Sequence, residues 1–331
     1  MSYIPCRRYP MHLFPAPGPG YHKAAKVTAP TRLDWTFAVS NRSLATAPKD
    51  WLGDYDSTKT TYALFVPPKG KKPRDRIKIL ESTKGDGKID KVTVWAEGKD
   101  LPIGWDLASG IEVGHGGVFL GAPPYLFFLS DPENTGKCTK QEVLLKGFGS
   151  QDTHETLNTF QWGPDGWLYG LHGVFTQSNV KPADGPEVRM NAAVWRYHPT
   201  RKAFEIFSEG TSNPWGMDWR NTDGQFILAC CVIPHLYHMV PGGVYKRQAG
   251  ASYNPHAYGQ INEICDHTFH RKSGWAHAGL LSLDVPHMPE KYRNSVIFGS
   301  IHGCSVKQNV LRPNGSSFVA TEADDFLVSG D

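Results

Sequence analysis

The chain has 331 residues, 40% of them hydrophobic and 12% aromatic, which is enough to bury a large core. Its 35 basic and 32 acidic residues give a net charge of +3, and no stripe of lysine and arginine alternates with aromatic residues, which argues against nucleic-acid binding. No apolar run has the length needed to span a bilayer, and the proline-broken start lacks the apolar segment of a signal peptide.

Residues 1–72 form a segment that lacks the repeat pattern of the rest of the chain. The segment ends in a run rich in proline and lysine, residues 67–73, which is typical of a linker. We therefore expect an N-terminal extension and linker over residues 1–72, followed by a second domain over residues 73–331.

Two loops contain acidic residues at spacings that partly resemble a calcium-binding loop. The first covers residues 85–90 and the second covers residues 130–136. Calcium loops need several carboxylates at alternating positions, and Ser82 and Lys84 occupy places where the first loop would need acids. Turn formation is the better explanation for both loops.

Short strand patterns separated by glycine, proline, aspartate and asparagine turns dominate the remainder, and helical patterns with capping signals are hard to find. This favours an all-β fold. The clearest predicted strands cover residues 117–121, 125–129, 194–197, 204–208 and 226–229.

One sequence frame occurs twice: Glu-Gly, three variable residues, then Pro-x-Gly-x-Asp, ending at Asp106 and at Asp218. Gly163 falls near the midpoint between Gly104 and Gly216, which gives a period of roughly 55 residues, close to the ~40–50 of propeller blades. We therefore predict a β-propeller of four-stranded blades, because radial repetition leaves few exposed sheet edges. A β-sandwich is the less favoured alternative.

The middle copy of the repeat has a longer variable loop, which contains Asp152 and His154. An aromatic strand pair follows this loop, with a Pro-Asp-Gly turn at residues 164–166 between the two strands. Polar loops that project from a rigid sheet are frequent places for binding and catalysis.

The six cysteines are too few for a disulfide scaffold, and the haem-attachment motif Cys-x-x-Cys-His does not occur in this sequence. Cys230 and Cys231 are adjacent in a predicted strand and are expected to face its opposite sides rather than form a vicinal disulfide. Several histidines follow; they would ligate a metal such as zinc or copper, or else be buried, hydrogen-bonded or channel-lining groups. These histidines are His235, His238, His256, His267, His270 and His277.

Several runs of the chain carry a family resemblance, among them QDTHETLNTFQWGPDGWLYGLHGVFTQSNV, WRYHPTRKAFEIFSEGTSNPWGMDW and ACCVIPHLYHMVPGGVYKRQAG. With these runs most of the chain resembles the membrane-bound-dehydrogenase-type proteins of planctomycetes, which are also called haem-binding proteins. The family is itself similar to the soluble quinoprotein sugar dehydrogenases, so the resemblance implies a six-bladed propeller that uses pyrroloquinoline quinone and calcium. It also implies a sugar or alcohol substrate, a cytochrome-type electron acceptor and a periplasmic or other extracytoplasmic location.

Two departures from that family pattern concern the extent of the chain. The sequence stops at Asp331, where the family continues into a further strand, so we expect a propeller that is truncated before ring closure. The separate haem domain of the family is not found in this sequence. Residues 31–68 resemble instead the leader strands of an α/β-hydrolase, although no Gly-x-Ser-x-Gly elbow follows, so residues 1–72 are hypothesised to be a fused hydrolase leader.

The resemblance also implies roles for individual residues. His154 occupies the position of the catalytic histidine, where its pKa would suit a general base, and Asp152 would orient it or contact the cofactor. The alternative is that these two side chains only fix a long loop. Asn213 lies in the equivalent loop of the next copy, but Ser212 stands where the sugar dehydrogenases have an arginine. The candidate cofactor-binding residues are Asn213, Trp215, Arg247, His235 and His238.

Arg247 would substitute for the missing arginine, or else it belongs to a solvated basic turn. The leading hypothesis for function is a quinoprotein-dehydrogenase-like propeller that oxidises a sugar or an alcohol with His154 as base. The alternative is a non-catalytic propeller that binds a carbohydrate or a protein partner. A hydrolase is disfavoured because the sequence has no nucleophile elbow.

Overall fold

The computed structural model describes residues 36–39, 75–86, 88–232, 235–247, 259–265, 276–300 and 303–328. The predicted linker and the domain boundary at residue 72 lie outside these ranges. The strands are β1 (Thr36–Val39), β2 (Arg76–Glu81), β3 (Lys91–Glu97), β4 (Gly110–Gly114), β5 (Gly117–Ala122), β6 (Tyr125–Ser130), β7 (Lys140–Lys146), β8 (Asn158–Trp162), β9 (Leu168–His172), β10 (Ser178–Pro182), β11 (Val188–Met190), β12 (Ala193–His198), β13 (Ala203–Thr211), β14 (Pro214–Trp219), β15 (Phe226–Cys230), β16 (Leu236–Met239), β17 (Val244–Arg247), β18 (His277–Ser282), β19 (Ser295–Ser300), β20 (Ser305–Asn314), β21 (Ser317–Glu322) and β22 (Leu327–Val328).

The all-β class predicted from the sequence is confirmed. Within the described ranges the helical segments are two short 3-10 turns, Gly98–Asp100 and Glu290–Tyr292, and none is long and apolar enough to cross a membrane. The predicted hairpin forms between β12 and β13, and the predicted strands around residues 117, 125 and 226 are present as β5, β6 and β15.

The chain divides into two compact units. Unit 1 comprises residues 1–108, 113–118 and 128–142, and unit 2 comprises residues 109–112, 119–127 and 143–331. Unit 1 contains the antiparallel sheet β1-β2-β3. Its buried apolar side chains include Ile77, Trp95 and Trp105.

The two acidic loops of unit 1 use their carboxylates to hold their own turns. Asp90 accepts hydrogen bonds from the backbone N–H of Thr83 at 2.8 Å and from its hydroxyl at 2.7 Å. Asp131 accepts the N–H groups of Thr135 and Gly136 at 3.0 and 2.7 Å. These contacts are the ones expected if the carboxylates of both loops stabilise turns.

Sheets of strands that are near neighbours in sequence make up the rest. In the next three sheets the paired strands are antiparallel, except that β17 runs parallel to β13. Their orders are β17-β13-β12-β9-β8, β14-β15-β16, and β18-β19-β20-β21 with β22 paired to β20. A further sheet has the order β11-β10-β7-β6-β5-β4. Successive up-and-down sheets of this kind are the blades of a β-propeller, and the fold is of that type. The number of blades and the closure of the ring stay predictions.

The core of unit 2 follows from strands that are buried on both faces. All five residues of β9 and all five of β15 are buried, as expected of central strands, whereas β10 alternates between buried and exposed positions. Tyr169, Leu171, Phe226 and Leu228 lie in one apolar cluster with the partly buried Trp219. Gly170 is required in β9 because a Cβ there would overlap the indole of Trp195.

The aspartate of the repeated frame ties neighbouring sheets together in unit 2. The buried carboxylate of Asp218 in β14 accepts the side-chain N–H of Gln161 in β8 at 3.0 Å and the backbone N–H of Ser282 in β18 at 2.7 Å. Gly216 lies in the same strand and leaves no room for a Cβ against the backbone of Gly279. Gly163, by contrast, lies in the turn after β8, so the sequence frame paired it wrongly with Gly216.

Candidate functional site

The ends of several strands of unit 2 are linked by backbone hydrogen bonds into one edge. The carbonyl oxygen of Glu155 accepts from the N–H of Gly173, that of Gly173 accepts from Ala192, and that of Ala192 accepts from Gly210. We call this edge, comprising residues 151–157, 173–177, 191–192 and 210–213, the His154 edge. It brings together loops that are far apart in the sequence.

Asp152 and His154 form a close pair on this edge. The backbone N–H of His154 donates to Asp152 Oδ1 at 3.0 Å, and its ring atom Nδ1 lies 3.4 Å from the same oxygen. The imidazole is 43% exposed, whereas the carboxylate is only 15% exposed. Asp152 therefore holds an accessible imidazole in place, an arrangement suited to a general base. The same contacts also fix the loop, so the role of the pair stays a prediction.

The loop after β9 is bonded to the loop that carries the pair. The hydroxyl of Thr176 donates to the carbonyl oxygen of Asp152 at 3.0 Å, and the N–H of Asp152 lies 3.2 Å from the same hydroxyl. The N–H of Gln177 donates to Gln151 Oε1 at 3.2 Å. Two loops that lie on either side of the strand pair β8 and β9 in the sequence are thus bonded to each other.

Glu155 is a buried acid directly beside His154, with a residue exposure of 3%. Its Oε2 accepts the backbone N–H of Phe175, and Gly173 lies so close that a Cβ there would overlap the side chain of Glu155. Burial raises the pKa of Glu155 to about 7, against the lowering effect of the Phe175 hydrogen bond and with a further rise from the charge of Asp152.

His172 stabilises the same region through hydrogen bonds of both ring nitrogens. Its Nδ1 lies 3.0 Å from the carbonyl oxygen of Gly173, so this nitrogen carries the proton, and its Nε2 accepts from the Ser178 hydroxyl at 2.7 Å. Burial lowers the pKa of His172 to about 4, in agreement with a neutral ring. Neutral His172 therefore fixes the start of the loop between β9 and β10.

Trp215, two residues after Asn213, contacts His154 directly. The indole N–H of Trp215 donates to the carbonyl oxygen of His154 at 2.8 Å. The carbonyl oxygen of Asn213 accepts the N–H of Cys231 at 2.6 Å, and the side-chain Oδ1 of Asn213 is buried without a hydrogen-bond partner in the described part of the chain. An acceptor of this kind suits a ligand N–H.

Arg247 reaches the His154 edge by its position in β17, which pairs in parallel with β13 at Thr211. Its guanidinium donates to Asn191 Oδ1 at 2.7 Å and to the Asn191 carbonyl oxygen at 3.2 Å. Asn191 in turn donates from its Nδ2 to the carbonyl oxygen of Val174 at 3.1 Å. Arg247 is thus built into the edge rather than into a solvated turn.

The remaining predicted cofactor residues are buried with partners of their own. His235 Nε2 lies 2.9 Å from Asn309 Oδ1, and His238 lies 2.7 Å from Gln225 Oε1 and 3.1 Å from the Ser317 hydroxyl. These are the contacts of the buried, hydrogen-bonded alternative, and the structure does not bring either ring to the exposed imidazole of His154.

The other histidines and the vicinal cysteines add no ligand set to the edge. His277 packs against the rings of His235 and Phe298, while His256, His267 and His270 lie outside the described residues. Cys230 and Cys231 are free thiols, and burial raises the pKa of Cys230 to about 12. In the ranges that the structure describes, no group of three or more His, Cys, Asp or Glu side chains is placed to hold a metal ion.

Two non-glycine residues of this edge have a positive φ. Ala192 and Thr211, both buried, have φ angles of 42° and 75°. Such a φ is unusual for a β-branched residue, and strained residues of this kind cost roughly 1–3 kcal/mol each. Strain held in place by surrounding structure is frequent at functional sites.

Sequence reasoning missed three contributors to the edge: Glu155, Thr176 and Asn191. Glu155 is adjacent to His154 in the motif, and that adjacency was the available signal. Its burial depends on Gly173, whose closeness to residue 155 only the fold reveals.

Comparisons with known proteins place the chain as follows. No curated protein matches it. Among solved structures it is similar to a putative oxidoreductase (glucose dehydrogenase) of Thermus thermophilus, with 17% identity, coverage of 78% of this chain and 80% of that one, and a TM-score of 0.47. It is also similar to the soluble aldose sugar dehydrogenase of Escherichia coli, with 14% identity, 76% and 80% coverage, and a TM-score of 0.44.

A third similar structure is a Trichoderma reesei member of Carbohydrate-Active Enzymes Family AA12, with 11% identity, 77% and 78% coverage, and a TM-score of 0.45. All three TM-scores lie below 0.5, so these similarities are too distant to assign an activity. The family described as "Domain of unknown function (DUF7133)" matches residues 52–331, which is more than half of the chain. The chain therefore belongs to the DUF7133 family.

Proposed function

We propose that this protein oxidises a sugar or an alcohol, with His154 as the general base. The observation that carries the proposal is the Asp152–His154 pair, in which a well-buried carboxylate holds an exposed imidazole. Oxidation of a hydroxyl group requires a base for the hydroxyl proton while the hydride leaves the carbon atom. His154 would take that proton, and Asp152 would stabilise the imidazolium that forms.

Some residues of the edge suit the predicted cofactor, pyrroloquinoline quinone, which is planar and carries N–H and carboxylate groups. The partnerless Oδ1 of Asn213 would accept an N–H, Trp215 would supply an aromatic surface, and Arg247 would supply positive charge. When bound, the quinone supplies a two-electron acceptor for the hydride. A calcium ion and a cytochrome-type electron acceptor are retained as predictions without assigned ligands or contacts.

A dye-reduction assay tests this proposal. The protein is mixed with pyrroloquinoline quinone and calcium, the absorption spectrum is recorded, and reduction of a redox dye is followed with a panel of sugars and alcohols. We expect a spectral change and substrate-dependent reduction, and we expect His154→Ala to lower kcat by about 10²–10⁴-fold.

The matched control is His287→Ala, which removes an exposed histidine from the loop between β18 and β19. This loop does not belong to the His154 edge. The control variant should leave the rate unchanged. The proposal is refuted if the spectrum does not change on adding the cofactor and no substrate of the panel supports dye reduction.

A non-catalytic propeller that binds a carbohydrate or a protein partner is the second candidate. Ser212 favours it, because a small buried serine occupies the place where the sugar dehydrogenases were expected to have an arginine. Under this candidate, His154→Ala leaves ligand binding intact and no dye is reduced by the wild type.

A further inference from the structure

Phe175 is an aromatic side chain that the fold leaves in solvent, beside the His154 edge. It lies in the loop between β9 and β10 and is 51% exposed. Among the described residues, the other large hydrophobic side chains with comparable exposure are aliphatic: Ile89, Val92, Ile261, Leu327 and Val328. Single exposed apolar side chains are common, so exposure alone does not indicate a site.

The backbone around Phe175 is held firmly. The N–H of Phe175 donates to the buried carboxylate of Glu155, and the next residue, Thr176, bonds Asp152 through its hydroxyl. On the other side, the carbonyl oxygen of Val174 accepts from Asn191. Three separate contacts therefore fix the short loop between β9 and β10, so the aromatic ring projects from a rigid support.

The same contacts place Phe175 beside the proposed base. Residue 175 bonds residue 155 and residue 176 bonds residue 152, so His154 lies between the two attachment points. The carbonyl oxygen of His154 also accepts the indole N–H of Trp215. The loop with the exposed aromatic ring is thus anchored to Asp152 and Glu155, on either side of the residue with the exposed imidazole.

We propose that Phe175 is the residue that selects ring-shaped sugars, by providing a platform for the apolar C–H face of a pyranose bound at the His154 edge. This inference rests on the proposed function, because it specifies the substrate class of the same site. A pyranose chair presents an extended C–H face to an aromatic ring while its hydroxyl groups point towards polar partners. An open-chain polyol has no fixed face of that kind and gains less from the ring.

The test compares two ligands with similar hydroxyl content: methyl β-D-glucopyranoside, whose ring cannot open, and sorbitol, which has no ring. Binding is measured by calorimetry and by saturation-transfer NMR, without turnover. We expect the wild type to prefer the glycoside. Phe175→Ala should weaken glycoside binding by about tenfold while leaving sorbitol binding within about twofold.

Two further variants serve as controls. Phe175→Tyr keeps the aromatic ring and should retain the preference, and Val92→Ala removes another exposed apolar side chain and should change nothing. The inference is overturned if the wild type binds neither ligand, if it shows no preference for the ring, or if Phe175→Ala keeps that preference.

Binding and turnover separate this inference from the proposed oxidation. Ring-selective binding that depends on Phe175, without dye reduction, supports the platform and refutes the dehydrogenase. Dye reduction that depends on His154, with equal binding of both ligands by wild type and Phe175→Ala, supports the enzyme and refutes the platform.

Discussion

Glu155→Gln is the most informative single change, because it removes a buried ionisable group and nearly preserves its shape. Burial raises the pKa of Glu155 to about 7 from an ordinary value near 4.5. The groups that act on it besides burial are the backbone N–H groups of Phe175 and Val174, which lower its pKa, and the charge of Asp152, which raises it. All of these remain in the variant.

The sign of the pH effect follows from proton linkage. Between about pH 4.5 and pH 7 the folded protein keeps a proton on Glu155 that the unfolded chain has lost, so the free energy of unfolding falls as the pH rises. The full effect is about 3 kcal/mol, present below the unfolded pKa and lost as the pH passes through 7. Glu155→Gln has no such proton, so its stability should depend less on pH over this range.

Urea unfolding, followed by tryptophan fluorescence from pH 4.5 to pH 8, measures this difference. A direct check is NMR titration of the protein labelled with ¹³C at glutamate carboxyl groups, in which one resonance should titrate near pH 7 and vanish in Glu155→Gln. The control is Glu290→Gln, at an exposed position in a 3-10 turn, whose pH profile should run parallel to that of the wild type. Parallel profiles for Glu155→Gln, or no resonance that titrates near pH 7, would refute the reasoning.

Two further changes test the supports of the fold. Gly173→Ala should destabilise the protein by roughly 1–3 kcal/mol and weaken glycoside binding, because the added Cβ overlaps Glu155 and displaces the loop of Phe175; thermal unfolding and the same binding assay measure both effects. Asp284→Asn should lower the free energy of unfolding by roughly 2 kcal/mol at pH 7. Burial alone would raise the pKa of Asp284, but hydrogen bonds from Asn221 and Thr222 outweigh that effect and hold the pKa at about 2. Its stabilisation is present above about pH 4 and is lost as the pH falls towards 2, so the difference from the wild type should shrink in acid-unfolding curves.

Local pattern was sufficient to predict five of the strands. Short apolar runs and turn residues placed β5, β6, β12, β13 and β15, because each strand's apolar positions and flanking turns are contiguous in the sequence. The same logic failed for Gly163. A glycine marks a turn as readily as a close approach between backbones, and Gly216 is needed for the second reason.

The candidate site was predicted only in part, for a physical reason. Asp152 and His154 are two residues apart, so their contact is a local property of the loop. The bonds of Thr176 to Asp152 and of Arg247 to Asn191 join residues that are 24 and 56 positions apart. Pairs at these separations depend on how strands are ordered within and between sheets, and a single sequence does not specify that order.

Two acids three residues apart in one loop have different environments, so changes at them should have different effects on the proposed site. Asp152 retains some exposure and bonds His154, so a change there acts on the imidazole directly. Glu155 is buried and bonds the backbone of Phe175, so a change there acts on the platform through the position of its loop. Weakening the Glu155 anchor removes one of the three contacts that fix the loop of Phe175, whereas the bonds between Asp152 and His154 stay in place. Ring selection would therefore be lost before proton transfer.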